Sequence, residues 1–163
     1  NGTCGIFIGG DDFSAERAAG HLSPISQRIF HVGPLGAGMV MKTINNSMVQ
    51  IYVSGLTELL PLAKKAGLPL KTALDILCTG PAGLPVVRDR LPKILGDDNT
   101  VGFTNSGTAK DNDVFRKILH HFNMRSPMLE GFDRQAAFSE KMGLAERDPA
   151  ELIRAAYDVS EAT

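Results

Sequence analysis

Residues 39–66 form a near-continuous run of helix-compatible residues, and no other stretch of the 163-residue chain restricts its fold as strongly. At a rise of 1.5 Å per residue this predicts about 40 Å of helix, long for a globular domain. Gly67 follows as a left-handed C-cap, with Lys64 and Lys65 in the last turn complementing the helix dipole. The apolar residues Met41, Ile44, Met48, Ile51, Val53, Leu56, Leu59, Leu60 and Leu62 do not keep to one stripe, so most of the circumference is expected to be buried. Pro61 removes the hydrogen bond to the Thr57 carbonyl and is expected to kink the helix.

Shorter helices are predicted after it, over residues 70–78, 84–95 (with Pro92 disturbing the last turn), 106–122, 128–141 and 149–159, separated by turn-type connectors such as "TGPAG" and "GDDNTVG". Asp148 followed by Pro149 makes an N-cap and first-position pair. Ahead of the long helix the character differs. Residues 3–8 and 28–33 read as short buried strands, and "DDFSAERAAGHLSPI" between them reads as a helix with Gly20 and Pro24 as breakers. The fold class is therefore mainly α: an all-helical domain built on a long central helix, preceded by a short α/β segment. Two strands alone do not make a stable sheet, and the chain opens on Asn1 almost directly into a strand, so it is expected to be part of a longer protein. The boundary is placed at 35/36.

Seventeen basic against eighteen acidic residues leave a formal charge of −1 and no basic footprint for nucleic acid or an anionic membrane. No apolar run reaches the roughly 20 residues of a transmembrane helix. Cys4 and Cys78 have neither CxxC spacing nor a neighbouring histidine, so they are expected to be reduced core residues of a cytoplasmic protein without a metal site. A small-molecule partner is the expectation that remains.

The polar chemistry gathers in "GPLGAGMVMKTINNSM", residues 33–48. Three glycines in six residues let another molecule approach the backbone. Lys42 stands one turn past Gly38, and Asn46, at i+4, shares its helix face, whereas Asn45 lies to one side and reads as packing or capping. An ammonium and an amide on one face can bind a hydroxyl or carboxylate, and a lysine can exchange a proton with such an oxygen. The local pattern is equally that of a solvated helix lysine beside capping asparagines. His31, His120 and His121 suggest no chemistry: the first ends a strand, and the adjacent pair cannot share a helix face.

"HVGPLGAGMVMKTINN" resembles the G-x-x-G-x-G-x-x-x-K-x-x-x-N element of the β-hydroxyacid dehydrogenases, the group that includes 3-hydroxyisobutyrate dehydrogenase and tartronate semialdehyde reductase. "GTCGIFIGG" is similar to the strand that closes the family's Rossmann domain, and "LTELLPLAKKAGL" to the helix after the lysine. "RLPKIL" with Phe103, Lys110 and Asp111 resembles a further element, so the likeness extends to about residue 133. The resemblance implies residues 1–35 as the end of an NAD(P)-binding domain and 36–163 as a helical substrate and dimerisation domain. It implies Lys42 as general acid/base, Asn46 and Gly38 as substrate contacts, and Lys110 and Phe103 as cofactor contacts. The implied cofactor is NAD or NADP, and the substrate a small 3-hydroxy carboxylic acid. A homodimer or tetramer through the helical domain is implied too, in the cytoplasm or in the mitochondrial matrix of a eukaryote. No Gly-x-Gly-x-x-Gly pyrophosphate loop is present, and the family's Ser-Gly-Gly loop lies upstream of the first strand. Where the family is apolar between Phe103 and Lys110, this chain has "TNSGTA", and Asn112 stands where leucine is common. These departures leave a second expectation, a non-catalytic helical pairing module, and a third, a carboxylate-binding protein using the Lys42 and Asn46 face.

Overall fold

The computed structural model describes residues 4–160. The chain divides into two compact units, one running to Met48 and the other from Val49.

In the first unit, β1 (Gly5–Ile8) and β2 (Arg28–His31) pair in parallel, with Gly5 opposite Arg28 and Ile8 opposite His31. Parallel strands need a crossover, and α1 (Asp12–Leu22) supplies it. The Asp11 carboxylate caps α1 by accepting from Ser14 N at 2.9 Å. The helix runs through Gly20, expected to act as a breaker, and ends only before Pro24. A single glycine costs a helix about 1 kcal/mol relative to alanine, too little to stop it. The rings of Phe7 and Phe30 lie 6.0 Å apart on one sheet face. Cys4 is exposed and Cys78 only partly buried, so neither is the core residue expected; both are free thiols. Thr3, the expected first strand residue, lies outside the described residues.

The helix α2 (Ala37–Lys65) begins two residues before its expected start and carries Pro61 inside it. Gly67 ends it at φ 73°, as the sequence predicts. The expectation that most of its circumference is buried is corrected. Val53, Leu56 and Leu60 are buried, but Ile44 and Met48 in the first unit and Leu59 and Leu62 in the second are all more than half exposed. Apolar content alone does not say how many sides of a helix one chain can cover.

In the second unit α2 is followed by α3 (Leu70–Thr79), α4 (Pro85–Leu95), α5 (Asn105–His121), α6 (Pro127–Glu130), α7 (Phe132–Lys141) and α8 (Pro149–Asp158). The architecture is mainly α, as expected. The helix expected over 128–141 is two, because at Gly131 the backbone N–H turns back to the Leu129 carbonyl instead of continuing the ladder. The most enclosed element is α8, in which Ala150, Leu152 and Ile153 are at most 1% exposed. Val53, Leu56 and Leu60 of α2, Ala73 and Leu74 of α3, and Val87 and Ile94 of α4 share its core. A smaller cluster joins Phe115 of α5 to Leu129 and Phe132. Each such side chain contributes about 1.5–3 kcal/mol by leaving water.

Asp148 ties this unit together. Fully buried, it caps α8 through Ala150 N at 3.1 Å, pairs with Arg90 Nη1 of α4 at 2.6 Å, and accepts from Gly102 N at 3.2 Å. Among the described residues no helix is long and apolar enough to cross a membrane.

Candidate active site

Two glycines join the wall that carries Lys42 to the sheet. A Cβ on Gly38 would stand 2.6 Å from the Phe7 carbonyl oxygen, and one on Gly9 would stand 2.6 Å from the Pro34 carbonyl oxygen. Neither position tolerates a side chain without backbone movement, so the end of β1 and the first turn of α2 meet main chain to main chain. The turn between them needs glycine for a second reason, since Gly33 and Gly36 have φ of 122° and 94°.

Beside this junction opens a cleft of ≈ 820 Å³, lined on one side by β1 from Gly5 to Phe7, Gly9 and Arg28, and on the other by Gly36, Gly38, Met39, Lys42, Asn45 and Asn46. Its size is that of a site for a small molecule or cofactor, about 300–1,000 Å³. The structure thus places Gly38, Lys42 and Asn46 in the lining of one cleft. It adds Asn45, whose place in the sequence suggests only packing or capping. Asn45 Nδ2 donates to Asn46 Oδ1 at 3.1 Å. With its oxygen engaged in this orientation, Asn46 has its own amide N–H groups left to donate to a ligand oxygen. The backbone under them is stiffened by Thr43 Oγ1, buried and donating to the Met39 carbonyl at 2.9 Å.

A half-buried Lys42 and an exposed Arg28 bring two cations to the lining, and among the described lining residues there is no acid. Such a lining focuses a positive potential and favours an anionic ligand. Arg28 is not recognisable from sequence, because an arginine at a strand start has no local mark of function; only the register places it opposite Gly5 beside the cleft. His31 has a structural role: its Nε2 lies 2.8 Å from the Gly10 carbonyl and its Nδ1 3.5 Å from Asp12.

The second unit holds the other expected residues. Thr104 caps α5, its hydroxyl accepting from Gly107 N at 2.9 Å, while Asn105 N and Ser106 N donate to the carbonyls of Arg147 and Ala145. The Asn105 side chain, 5% exposed, donates to the Leu144 and Arg147 carbonyls. The polar "TNSGTA" is therefore the N-terminal cap of α5 and its tether to the 144–147 turn. Buried Asn112 likewise donates to the Leu129 carbonyl at 3.2 Å. Because the first amides of α5 are engaged, that helix start offers no phosphate cradle. What remains for a dinucleotide is side-chain contact. Phe103, 43% exposed, has its ring so close over Gly107 that a Cβ there would meet it at 3.1 Å, and Lys110 is exposed one turn beyond Gly107. Phe103 precedes α5 and Lys110 lies within it, and both are exposed.

Residues 36–156 match the family model described as the NAD-binding domain of NADP-dependent 3-hydroxyisobutyrate dehydrogenase. The chain belongs to the 3-hydroxyisobutyrate dehydrogenase family. It is 30% identical over 121 residues to an uncharacterized oxidoreductase of a Synechocystis strain, covering 74% of this chain and 42% of that protein. It is 28% identical over 156 residues to an NAD-dependent L-serine dehydrogenase of Pseudomonas aeruginosa, covering 90% and 52%. A solved structure of 3-hydroxyisobutyrate dehydrogenase from Mycobacterium tuberculosis with L-serine matches its fold at a TM-score of 0.78 and 24% identity, covering 90% and 53%. The chain spans about half the length of these relatives.

Proposed function

We propose that this chain is the lysine-bearing part of an NAD(P)-dependent 3-hydroxy acid dehydrogenase, with Lys42 as its general acid/base. Residues 1–35 are on this reading the end of the nucleotide domain, and residues 36–163 the helical substrate domain. The observation that carries the proposal is Lys42 with the paired amides of Asn45 and Asn46 in one cationic cleft free of acidic lining among the described residues.

The division of labour follows from the donors present. The nicotinamide ring, when bound, supplies the hydride acceptor for alcohol oxidation and the hydride donor for the reverse reaction. In the oxidative direction Lys42 Nζ takes the hydroxyl proton as the carbinol becomes a carbonyl, and in the reverse direction it returns that proton to the carbonyl oxygen. A positioned base of this kind contributes about 10²–10⁴-fold. Asn46 donates to the substrate oxygens and holds them against Lys42, and Gly38 leaves that side of the cleft open. Lys110 of α5 and Phe103, just ahead of that helix, would contact the cofactor when it is bound.

A second role has its own observation. Ile44 and Met48 are exposed about 160° and about 120° around α2 from Lys42, so one face can serve chemistry while another pairs with a second copy of the chain. The test separating the two uses the full-length protein. Lys42→Ala should lower kcat for a 3-hydroxy acid by at least 10²-fold while leaving NAD(P) affinity and subunit assembly within about twofold. Retention of most of the rate refutes the catalytic role, and loss of assembly would show that Lys42 serves the fold.

A further inference from the structure

We propose that the second unit holds a binding site of its own, for a free α-amino acid with a large apolar side chain, in a groove between α2 and α7. Every residue of this groove belongs to that unit, and none of it is used by the chemistry proposed at Lys42.

The groove has a volume of ≈ 570 Å³, within the range of about 300–1,000 Å³ usual for small-molecule sites. Its α2 wall carries Ser54, Thr57, Glu58 and Pro61, which fall at i, i+3, i+4 and i+7 and so line up along one side of the helix. Arg134 and Phe138 come from α7, and Val159 from just past the end of α8. The Ser54 hydroxyl donates to Gln135 Oε1 and ties the α2 wall to α7.

Charge is the first guide to the occupant. Glu58 and Arg134 are both exposed, and among the described residues neither side chain has an ion pair or a hydrogen bond, with the other or with a third group. Two opposite charges that line one groove without meeting suit a guest that carries both signs. The guanidinium presents parallel N–H donors to a carboxylate, and the Glu58 carboxylate accepts from an ammonium. A guest of one sign would instead leave a like charge beside it, which disfavours it.

The backbone adds a second acceptor on the Glu58 side. Pro61 has no N–H, so the Thr57 carbonyl lacks the bond that residue 61 would otherwise donate. The Thr57 hydroxyl does not replace it, because it donates to the Val53 carbonyl at 3.0 Å. An ammonium with three N–H groups can use the carboxylate and this carbonyl together.

The remaining surface is apolar. Val159 is 56% exposed, and Pro61, Phe138 and Ala156 line the groove with it. Covering that surface favours an apolar branch on the guest. An ammonium, a carboxylate and an apolar branch on one carbon make an α-amino acid.

The test is calorimetry on the full-length protein with L-phenylalanine, with 3-phenylpropionate, which lacks the ammonium, and with 2-phenylethylamine, which lacks the carboxylate. Phenylalanine should bind about 10-fold more tightly than either. Glu58→Gln should weaken phenylalanine and 2-phenylethylamine by about 10-fold and leave 3-phenylpropionate no weaker. Arg134→Gln should weaken phenylalanine and 3-phenylpropionate by about 10-fold and leave 2-phenylethylamine no weaker. Both residues are exposed, so neither substitution removes a core contact. Absence of saturable phenylalanine binding overturns the proposal, and so does a loss that is equal for all three ligands. Phenylalanine binding that survives both groove variants and disappears in Lys42→Ala belongs to the cleft, which overturns it as well.

Discussion

Replacing Asp148 by alanine should cost the second unit about 3–4 kcal/mol. Breaking a buried ion pair from one side typically costs 3–5 kcal/mol, because the remaining charge stays in a poorly solvated place. Arg90 is 29% exposed at its side chain and recovers some hydration, which lowers that figure. Loss of the α8 cap adds about 1 kcal/mol, and Gly102 N loses its acceptor as well. For a unit of about 115 residues the unfolding entropy is near 0.24 kcal/mol/K, so Tm should fall by roughly 12–17 °C. Urea denaturation and scanning calorimetry on the full-length protein measure both quantities. Arg90→Met supplies the other corner of a double-mutant cycle, and the pair should couple by about 1–3 kcal/mol. A loss below about 1.5 kcal/mol for Asp148→Ala, with no coupling, would refute the reasoning by showing that the pair behaves like a surface one. Because Asp148 also holds Gly102, next to Phe103, KM for the cofactor should rise in Asp148→Ala even at temperatures where the variant stays folded.

Two further perturbations probe single contacts. Gly38→Ala puts a Cβ against the Phe7 carbonyl, so it should cost about 1–3 kcal/mol and raise substrate KM, whereas alanine at Gly55, where a Cβ would meet nothing, should be neutral or stabilising; equal effects would refute the close contact. The Asp98 carboxyl is held down to about 2, first by the Thr100 N–H, then by the Thr100 hydroxyl, then by Lys93. A lowered folded pKa stabilises fully above the ordinary value of 3.8 and is lost as the pH falls through about 2. Carboxylate NMR should therefore show Asp98 ionised at pH 3, where an unperturbed aspartate is mostly protonated.

Features set by neighbouring residues were legible in the sequence. Gly67 ended the long helix, Asp148–Pro149 opened the last one, and Lys42 and Asn46 shared a face, because each depends on bonds within a turn or two. What escaped depends on partners far along the chain. Asp148 is an N-cap in sequence but also the partner of Arg90, 58 residues away. Asn105 and Asn112 look like mere departures from a family pattern until the 144–147 turn and Leu129 supply their acceptors. Arg28 reached the cleft only through strand register. The uncovered face of α2 was invisible for a related reason, since apolar residues look alike whether or not their own chain covers them.

The meeting of Gly9 and Gly38 divides the cleft for anyone who wishes to redesign it. Two main chains in contact leave no side chain to exchange there, so that joint is closed to variation, while Ile6, Arg28, Met39 and Asn45 can be randomised without touching it. A library built on those four positions would vary the pocket's shape and charge around a lysine whose footing stays the same.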